Sequence, residues 1–163
     1  MPKSPANSNL LLRPYRPADL ETLWRIDQEC FTPGIAYSKS ELAHYVKQRG
    51  AFTLIGEEDG AIAGYVIAES HQGKGHIVTI DVLAPSRRSG LGSRLITAAE
   101  DHLRAAGCTG IVLETAVDNH AALAFYKRHG YSVVGTIPRY YQGSLDALRL
   151  EKDLEVKKTR TKS

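Results

Sequence analysis

Residues 86–95, Ser-Arg-Arg-Ser-Gly-Leu-Gly-Ser-Arg-Leu, set arginines beside glycines where an apolar run of helical period begins. Gly90 and Gly92 let the backbone approach a ligand closely, and the first amides of a helix are unpaired donors at the positive end of its dipole. That combination suits a pyrophosphate. Arg87, Arg88 and Arg94 add guanidinium groups, whose geometry matches phosphate oxygens. The plain alternative is a flexible strand-to-helix turn. Spacing removes two familiar nucleotide loops. A dinucleotide fingerprint needs a third glycine where Leu95 stands, and a Walker loop needs Gly-Lys-Ser/Thr where the chain has Gly92-Ser93-Arg94.

Two further places could carry chemistry. Glu114 ends the apolar run Ile111-Val112-Leu113, where a carboxylate is costly unless it is paired or reaches a cleft. A salt bridge or a strand end facing water are its ordinary alternatives. Tyr126 lies nearly two helical turns after Asn119, so both side chains share one face. Asn119 suits a helix cap, and Tyr126 beside Phe125 suits a core. The six histidines show no HxxxH or His-Cys cluster, so no metal is expected.

The elements that must position these groups follow from periodicity. "NLLLRPYRP" reads as a strand, and Leu20, Leu23, Trp24 and Phe31 place a helix over 17–30. Ser38 and Glu41 form a capping box that opens a second helix. Asp59-Gly60 between two apolar runs predicts a tight hairpin. "HIVTIDVLAP" is a strand and "GLGSRLITAAEDHLRAAG" a helix that Gly107 ends. "GIVLETA", "NHAALAFYKRHG", "YSVVGTI" and "ALRLEKDL" then read as strand, helix, strand, strand. The sum is an α/β (α+β) mixture around a mostly antiparallel sheet, with parallel pairing available across the long helix.

At 163 residues, 42% hydrophobic and 24% charged, the chain suits one globular domain, expected over 10–156 between a loose 1–9 and a basic tail at 157–163. The net charge of +3 comes largely from that tail: without Lys157, Lys158, Arg160 and Lys162 the bases no longer outnumber the 18 acids. Such a tail can touch nucleic acid or a ribosome, or simply stay solvated. Nucleic acid is otherwise not expected as a partner. Cys30 and Cys108 form no CxxC, and the polar N-terminus lacks a signal-peptide core, which suits a cytoplasmic protein. No apolar run approaches the roughly 20 residues of a membrane span.

Arg87, Gly90 and Gly92 following "IVTIDVLAP" resemble the first motif of the GNAT superfamily of N-acetyltransferases, Arg/Gln-x-x-Gly-x-Gly/Ala. "LETAVDNHAALAFYKRHGY" resembles the second block of its RimI type, the ribosomal-protein alanine N-acetyltransferases and their N-terminal acetyltransferase relatives. The resemblance spans roughly residues 10–154. It implies the GNAT fold, with six or seven strands and about four helices. It also implies acetyl-CoA as cosubstrate. Arg87 and the amides of Arg88, Ser89, Gly90, Leu91, Gly92 and Ser93 would hold its pyrophosphate. The backbone of Ile80, Asp81 and Val82 would hold the pantetheine arm, with the Val82 amide on the thioester carbonyl. Glu114 would be the general base, Tyr126 the general acid toward sulfur, and Asn119 a coenzyme contact. Phe31 and Tyr37 in "CFTPGIAYS", and Tyr140 and Tyr141 in "RYYQG", both taken as loops, would line the peptide entrance.

Those roles describe direct transfer in a ternary complex, since Cys30 and Cys108 lie outside the matching motifs. An α-amine with a pKa near 7.8 is about 15% neutral at pH 7, against about 0.04% for a lysine near 10.4, which favours a protein or peptide N-terminus, such as that of a ribosomal protein, as acceptor. A small-molecule amine or a lysine side chain is the alternative, and a non-catalytic acyl-CoA-binding module a third. A monomer or homodimer is expected. Asp81 stands where the RimI type has a small residue, and could hold the ammonium, pair with a base or alter specificity. His76 reads as a surface histidine, or as an auxiliary base of the kind some N-terminal acetyltransferases carry at this place.

Overall fold

A computed structural model describes residues 9–154. The basic tail and the first eight residues lie outside them, while Asn9 is tied to Asp59, its amide donating to Oδ1 at 3.1 Å. Strand β1 (Leu10–Pro14) leads to helices α1 (Leu20–Cys30) and α2 (Lys39–Lys47), then to strands β2 (Ala51–Glu58), β3 (Ala61–His71) and β4 (Lys74–Val82). Helix α3 (Leu91–Ala105), β5 (Gly110–Ala116), α4 (His120–Arg128), β6 (Ser132–Tyr141) and β7 (Leu145–Asp153) complete the order. The seven strands form one sheet, β1-β2-β3-β4-β5-β7-β6. This is the expected mixed sheet, and only the β4–β5 pair is parallel.

Local sequence explains most boundaries. Ser38 and Glu41 cap α2 reciprocally, each side chain taking the other's amide. Asp59 (φ 52°) and Gly60 (φ 86°) turn the β2–β3 hairpin, and Gln72 (φ 50°) and Gly73 (φ 80°) make a second such turn into β4, two residues ahead of the start expected from "HIVTIDVLAP". The helix expected over 17–30 begins as a 3-10 turn, Pro17–Asp19. There the Asp19 carboxylate accepts from both terminal nitrogens of Arg13 and from the Arg16 amide. The bifurcated guanidinium fixes β1 to the helix entry and also donates through Nε to Glu57 on β2.

The sheet is covered on both faces. Leu91, Leu95, Ile96, Ala99 and Leu103 of α3 recur at helical spacing and bury against Val66, Ala68, Ile77, Ile111, Leu113 and Leu150. On the other face Leu23, Ile26 and Leu42 of α1 and α2 pack on Ile55, Tyr65 and Ile67. Each such fully buried Leu or Ile contributes about 1.5–3 kcal/mol. A buried carboxylate clamps α3 at the rear: Glu100 accepts from the Tyr131 hydroxyl at 2.8 Å and from Lys152 Nζ at 3.0 Å.

Two irregularities shape the centre. In the β3–β4 pair Ala68 faces Ile77 and Ile67 faces Thr79, so Val78 is an extra residue on β4. Beside it the parallel β4–β5 pairing stops after Lys74↔Gly110, Gly75↔Ile111 and His76↔Val112, and the two strands part. The second irregularity corrects the sequence reading: Arg139–Tyr141 of "RYYQG" belong to β6 rather than to a loop. A register shift between Ile137 and Tyr141 carries the chain through Arg139 (φ 52°), and the freed Arg139 amide donates to Asp146 Oδ1 at 2.9 Å. Polar compensation of that kind lets the strand continue where turn-like composition suggests a stop.

Gly64 of β3 lies against the outer half of β4, where a Cβ would meet the Asp81 carbonyl oxygen at 2.5 Å. Backbone cannot swing aside as a side-chain end can. Gly64→Ala is therefore expected to lose about 1–3 kcal/mol in urea unfolding, whereas Gly135→Ala, whose Cβ meets nothing within 4 Å, should stay near wild type.

Candidate active site

The site forms where β4 and β5 part. His76 ends the paired stretch, and Glu114 lies two residues beyond its partner Val112. Val112 and Glu114 point away from the α3 core that Ile111 and Leu113 enter, so Glu114 meets His76 across the opening. His76 Nε2 is 2.7 Å from Glu114 Oε1, and its Nδ1 is 3.3 Å from Oε1 of Glu69, the residue opposite it on β3. Both carboxylates are 14% exposed and His76 29%, so the ring is no free surface histidine. Burial by itself lowers the imidazole's pKa; the hydrogen bonds and charges of Glu114 and Glu69 outweigh it and raise the net value.

Tyrosines surround this pair. The Tyr140 hydroxyl donates to Glu114 Oε1 at 3.4 Å, and its ring stands edge-on to Tyr141 with centroids 4.9 Å apart. The Tyr37 hydroxyl reaches the carbonyl of the extra residue Val78 at 3.5 Å, and its ring meets Tyr45 edge-on at 5.2 Å. Of the expected entrance residues, Tyr37, Tyr140 and Tyr141 come together, their hydroxyls close enough to act on one another electrostatically. Phe31 is half-buried just past α1 and makes no ring contact with them among the described residues.

The glycine loop sits as the sequence places it. A 3-10 turn, Ala84–Ser86, follows β4, and Gly90 (φ 88°) caps α3 in the left-handed conformation. The Leu91 amide donates to Ser89 Oγ at 3.2 Å and the Arg94 amide to the Gly90 carbonyl at 3.1 Å. The amides of Gly92 and Ser93 are the open first-turn donors, so the Leu91 amide is less available to an anion than expected. Leu91's side chain is fully buried. Arg87 is partly committed, its Nε donating to the Val82 carbonyl at 3.0 Å, and Arg94 donates to the Leu10 carbonyl. Arg88 is exposed. Open amides and arginines beside a glycine-lined approach fit a pyrophosphate.

Asn119 caps α4, its Oδ1 accepting from the Ala122 amide at 3.1 Å. Tyr126 of α4 is 7% exposed and packs edge-on to Phe125 and Tyr131. Burial, helped by the charge of Asp81, pushes its phenol well above the ordinary range. Ile80 and Val82 turn half-buried side chains to the α3 core. Asp81 between them points the other way and is 1% exposed. It forms no ion pair among the described residues, and its Oδ1 accepts from the Thr79 hydroxyl at 2.6 Å.

A base beside a parted sheet, a phenol and an anion-binding helix start suit acyl transfer from a phosphate-bearing carrier to an amine. The family model for Acetyltransferase (GNAT) family matches residues 20–131. The chain belongs to this family. This GNAT protein is accordingly an acyltransferase, and enzymes of the family use acetyl-CoA. It is 31% identical over 145 residues to an uncharacterized N-acetyltransferase of Methanocaldococcus jannaschii, covering 88% of this chain and 91% of that one. It is 33% identical over 118 residues to N-alpha-acetyltransferase 30 of Schizosaccharomyces pombe, covering 69% and 79%. The ribosomal-protein-S18-alanine N-acetyltransferase of Escherichia coli shares its fold, with a TM-score of 0.81 at 20% identity over 95% of this chain and all of that one.

Sequence reasoning on the GNAT chain missed Glu69 and Tyr45. Glu69 carried a signal in hindsight: counting back from the Gln72-Gly73 turn places it opposite His76. Tyr45, on α2, looks like any core-facing aromatic. Replacing Glu69 with Gln removes one of the two carboxylates that hold the proton on His76. Its imidazole pKa, read by NMR titration, should fall relative to wild type, and the part of stability lost as pH rises through that pKa should shrink.

Proposed function

We propose that this GNAT enzyme acetylates the α-amine of a protein or peptide N-terminus by direct transfer from acetyl-CoA in a ternary complex. The observation that carries the reading is the Glu114–His76 pair, seated at the parting of β4 and β5 within a ring of tyrosines. Aromatic rings with hydroxyls suit a chain terminus, which offers an apolar side chain beside polar backbone. The similarity to N-alpha-acetyltransferase 30 of Schizosaccharomyces pombe supports the same acceptor class. The RimI-like form of the proposal makes the terminus that of a ribosomal protein.

In this reading Glu114 takes a proton from the ammonium, and His76 steadies the carboxylate through Oε1. The neutral amine attacks the thioester carbonyl carbon; the C–N bond forms, the C–S bond breaks with its electron pair leaving on sulfur, the nitrogen's remaining excess proton passes through solvent to that thiolate, and the Val82 amide holds the carbonyl oxygen. The Gly92 and Ser93 amides with Arg88 bind the pyrophosphate. The backbone of Ile80, Asp81 and Val82, left without β5 as a neighbour, receives the pantetheine arm. Tyr126 faces the departing sulfur. With its phenol raised far above a thiol near 8.5, it stabilises thiolate by donating a hydrogen bond rather than by handing over its proton.

Turnover of acetyl-CoA with a short peptide tests these roles. Glu114→Gln should lower kcat about 10²–10⁴-fold, and Tyr126→Phe about 10–100-fold, the worth of one hydrogen bond to a charged group. Unchanged kcat in both variants removes the assignment. A peptide with a free N-terminus should be acetylated and its N-terminally blocked, lysine-containing counterpart should not; the reverse outcome makes the enzyme a lysine acetyltransferase.

A further inference from the structure

Beneath the donor strand lie two carboxylic acids that the acetyl-transfer chemistry does not use. Asp27 of α1 is fully buried and Asp81 of β4 is 1% exposed, and their carboxyl groups act on one another electrostatically across the α1–sheet interface. One oxygen of each is engaged: Asp27 Oδ2 accepts from the Tyr37 amide at 2.6 Å, and Asp81 Oδ1 accepts from the Thr79 hydroxyl at 2.6 Å. The others, Asp27 Oδ1 and Asp81 Oδ2, are buried without a donor, as is the Tyr65 hydroxyl beside them. Two carboxylates facing each other are acceptors only, and a buried acceptor without a donor is costly. One proton turns that repulsion into a hydrogen bond, as in carboxylate dyads generally.

We propose that Asp27 and Asp81 share one proton and so fasten the connection bearing Tyr37 to strand β4, positioning the acceptor side of the site against the donor side. Asp27 holds that connection by its backbone, and Asp81 lies between Ile80 and Val82. The pair therefore joins the two segments that the two substrates touch under the acetyl-transfer reading, on which the functional half of the proposal rests. Its surroundings favour the neutral form. Burial outweighs the rest: the charge of Glu41 on α2 acts in the same direction on Asp27, Tyr65 of β3 and the Thr79 hydroxyl act against it, and Cys30 of α1, which the cationic Arg87 reaches, and Tyr126 of α4 complete the surroundings. Burial raises both carboxyls, and Asp81 most.

The proton itself is tested first. In wild-type protein, carboxyl-carbon NMR assigned with Asp27→Asn and Asp81→Asn should show one proton still on the pair above about pH 5, where ordinary carboxyls have ionised, with the Tyr37 amide resonance moving in the same titration. Two carboxylates both ionised by about pH 5 overturn the proposal whatever the enzyme acetylates. Because the folded acids titrate above their unfolded values, the shared proton's contribution to stability is full in acid. It declines as pH rises from the carboxylate range to the pair's own titration point, so the fall in Tm with pH should be steeper in wild type than in Asp81→Asn. Kinetics test the fastening. Asp27→Ala should raise the acceptor KM about tenfold with a smaller change in kcat, and Asp27→Asn, which keeps an acceptor for Tyr37 and supplies a donor to Asp81, should restore most of it. An unchanged acceptor KM in Asp27→Ala overturns the positioning role, while absence of any peptide turnover by wild type overturns the acetyl-transfer reading and leaves the carboxyl titration to decide the pair.

Discussion

Parallel strands β4 and β5 hold together for three residue pairs and then separate, and most of the molecule is arranged around that separation. A sheet that parts exposes backbone groups that want partners and opens a cleft lined by ladder rather than by side chains. The cost is tolerable because each strand keeps its other neighbour: β4 stays paired with β3 to Val82, and β5 with β7 to Ala116. Helix α3 packs beneath, with Leu103 against the paired Gly75 and Leu95 in the same continuous core.

Charge is distributed unequally on the two sides of the opening. In the cleft three titratable groups, Glu69, His76 and Glu114, form a line that is partly wet. Beneath the outer half of β4, Asp27 and Asp81 are dry, and the same carboxyl chemistry is driven toward neutrality. Identical functional groups thus serve opposite ends because water reaches one and not the other. The phenol of Tyr126 belongs to the dry class, which makes it a donor and a poor acid.

Much of this could be read before the fold was seen. Gly90, Asp59-Gly60, the Ser38–Glu41 box and the α3 stripe are local signals, each complete within a few residues, and each appears where the chain places it. The site was legible only in part. Glu114 and Tyr126 were visible through motif resemblance, but the His76–Glu114 contact joins residues 38 apart in sequence and depends on a parallel register that no local pattern specifies. Asp81 was legible only as an extra acid near the thioester strand, with its role left open, because strand alternation cannot say which face is wet. Arg139–Tyr141 looked like a loop because the Asp146 side chain, which rescues the strand there, lies on the next strand.

Val78 gives the strand a change of phase. Before it, His76 and Val78 face the α1–α2 side and Ile77 the α3 side; after it, Thr79 and Asp81 take the first face and Ile80 and Val82 the second. A strand of strict alternation could not present His76 to Glu114 and Asp81 to Asp27 on one face, since the two are five positions apart and an odd offset puts side chains on opposite faces. One inserted residue resolves that parity, so β4 behaves as two short strands spliced out of step, the first presenting His76 to Glu114 and the second Asp81 to the buried pair.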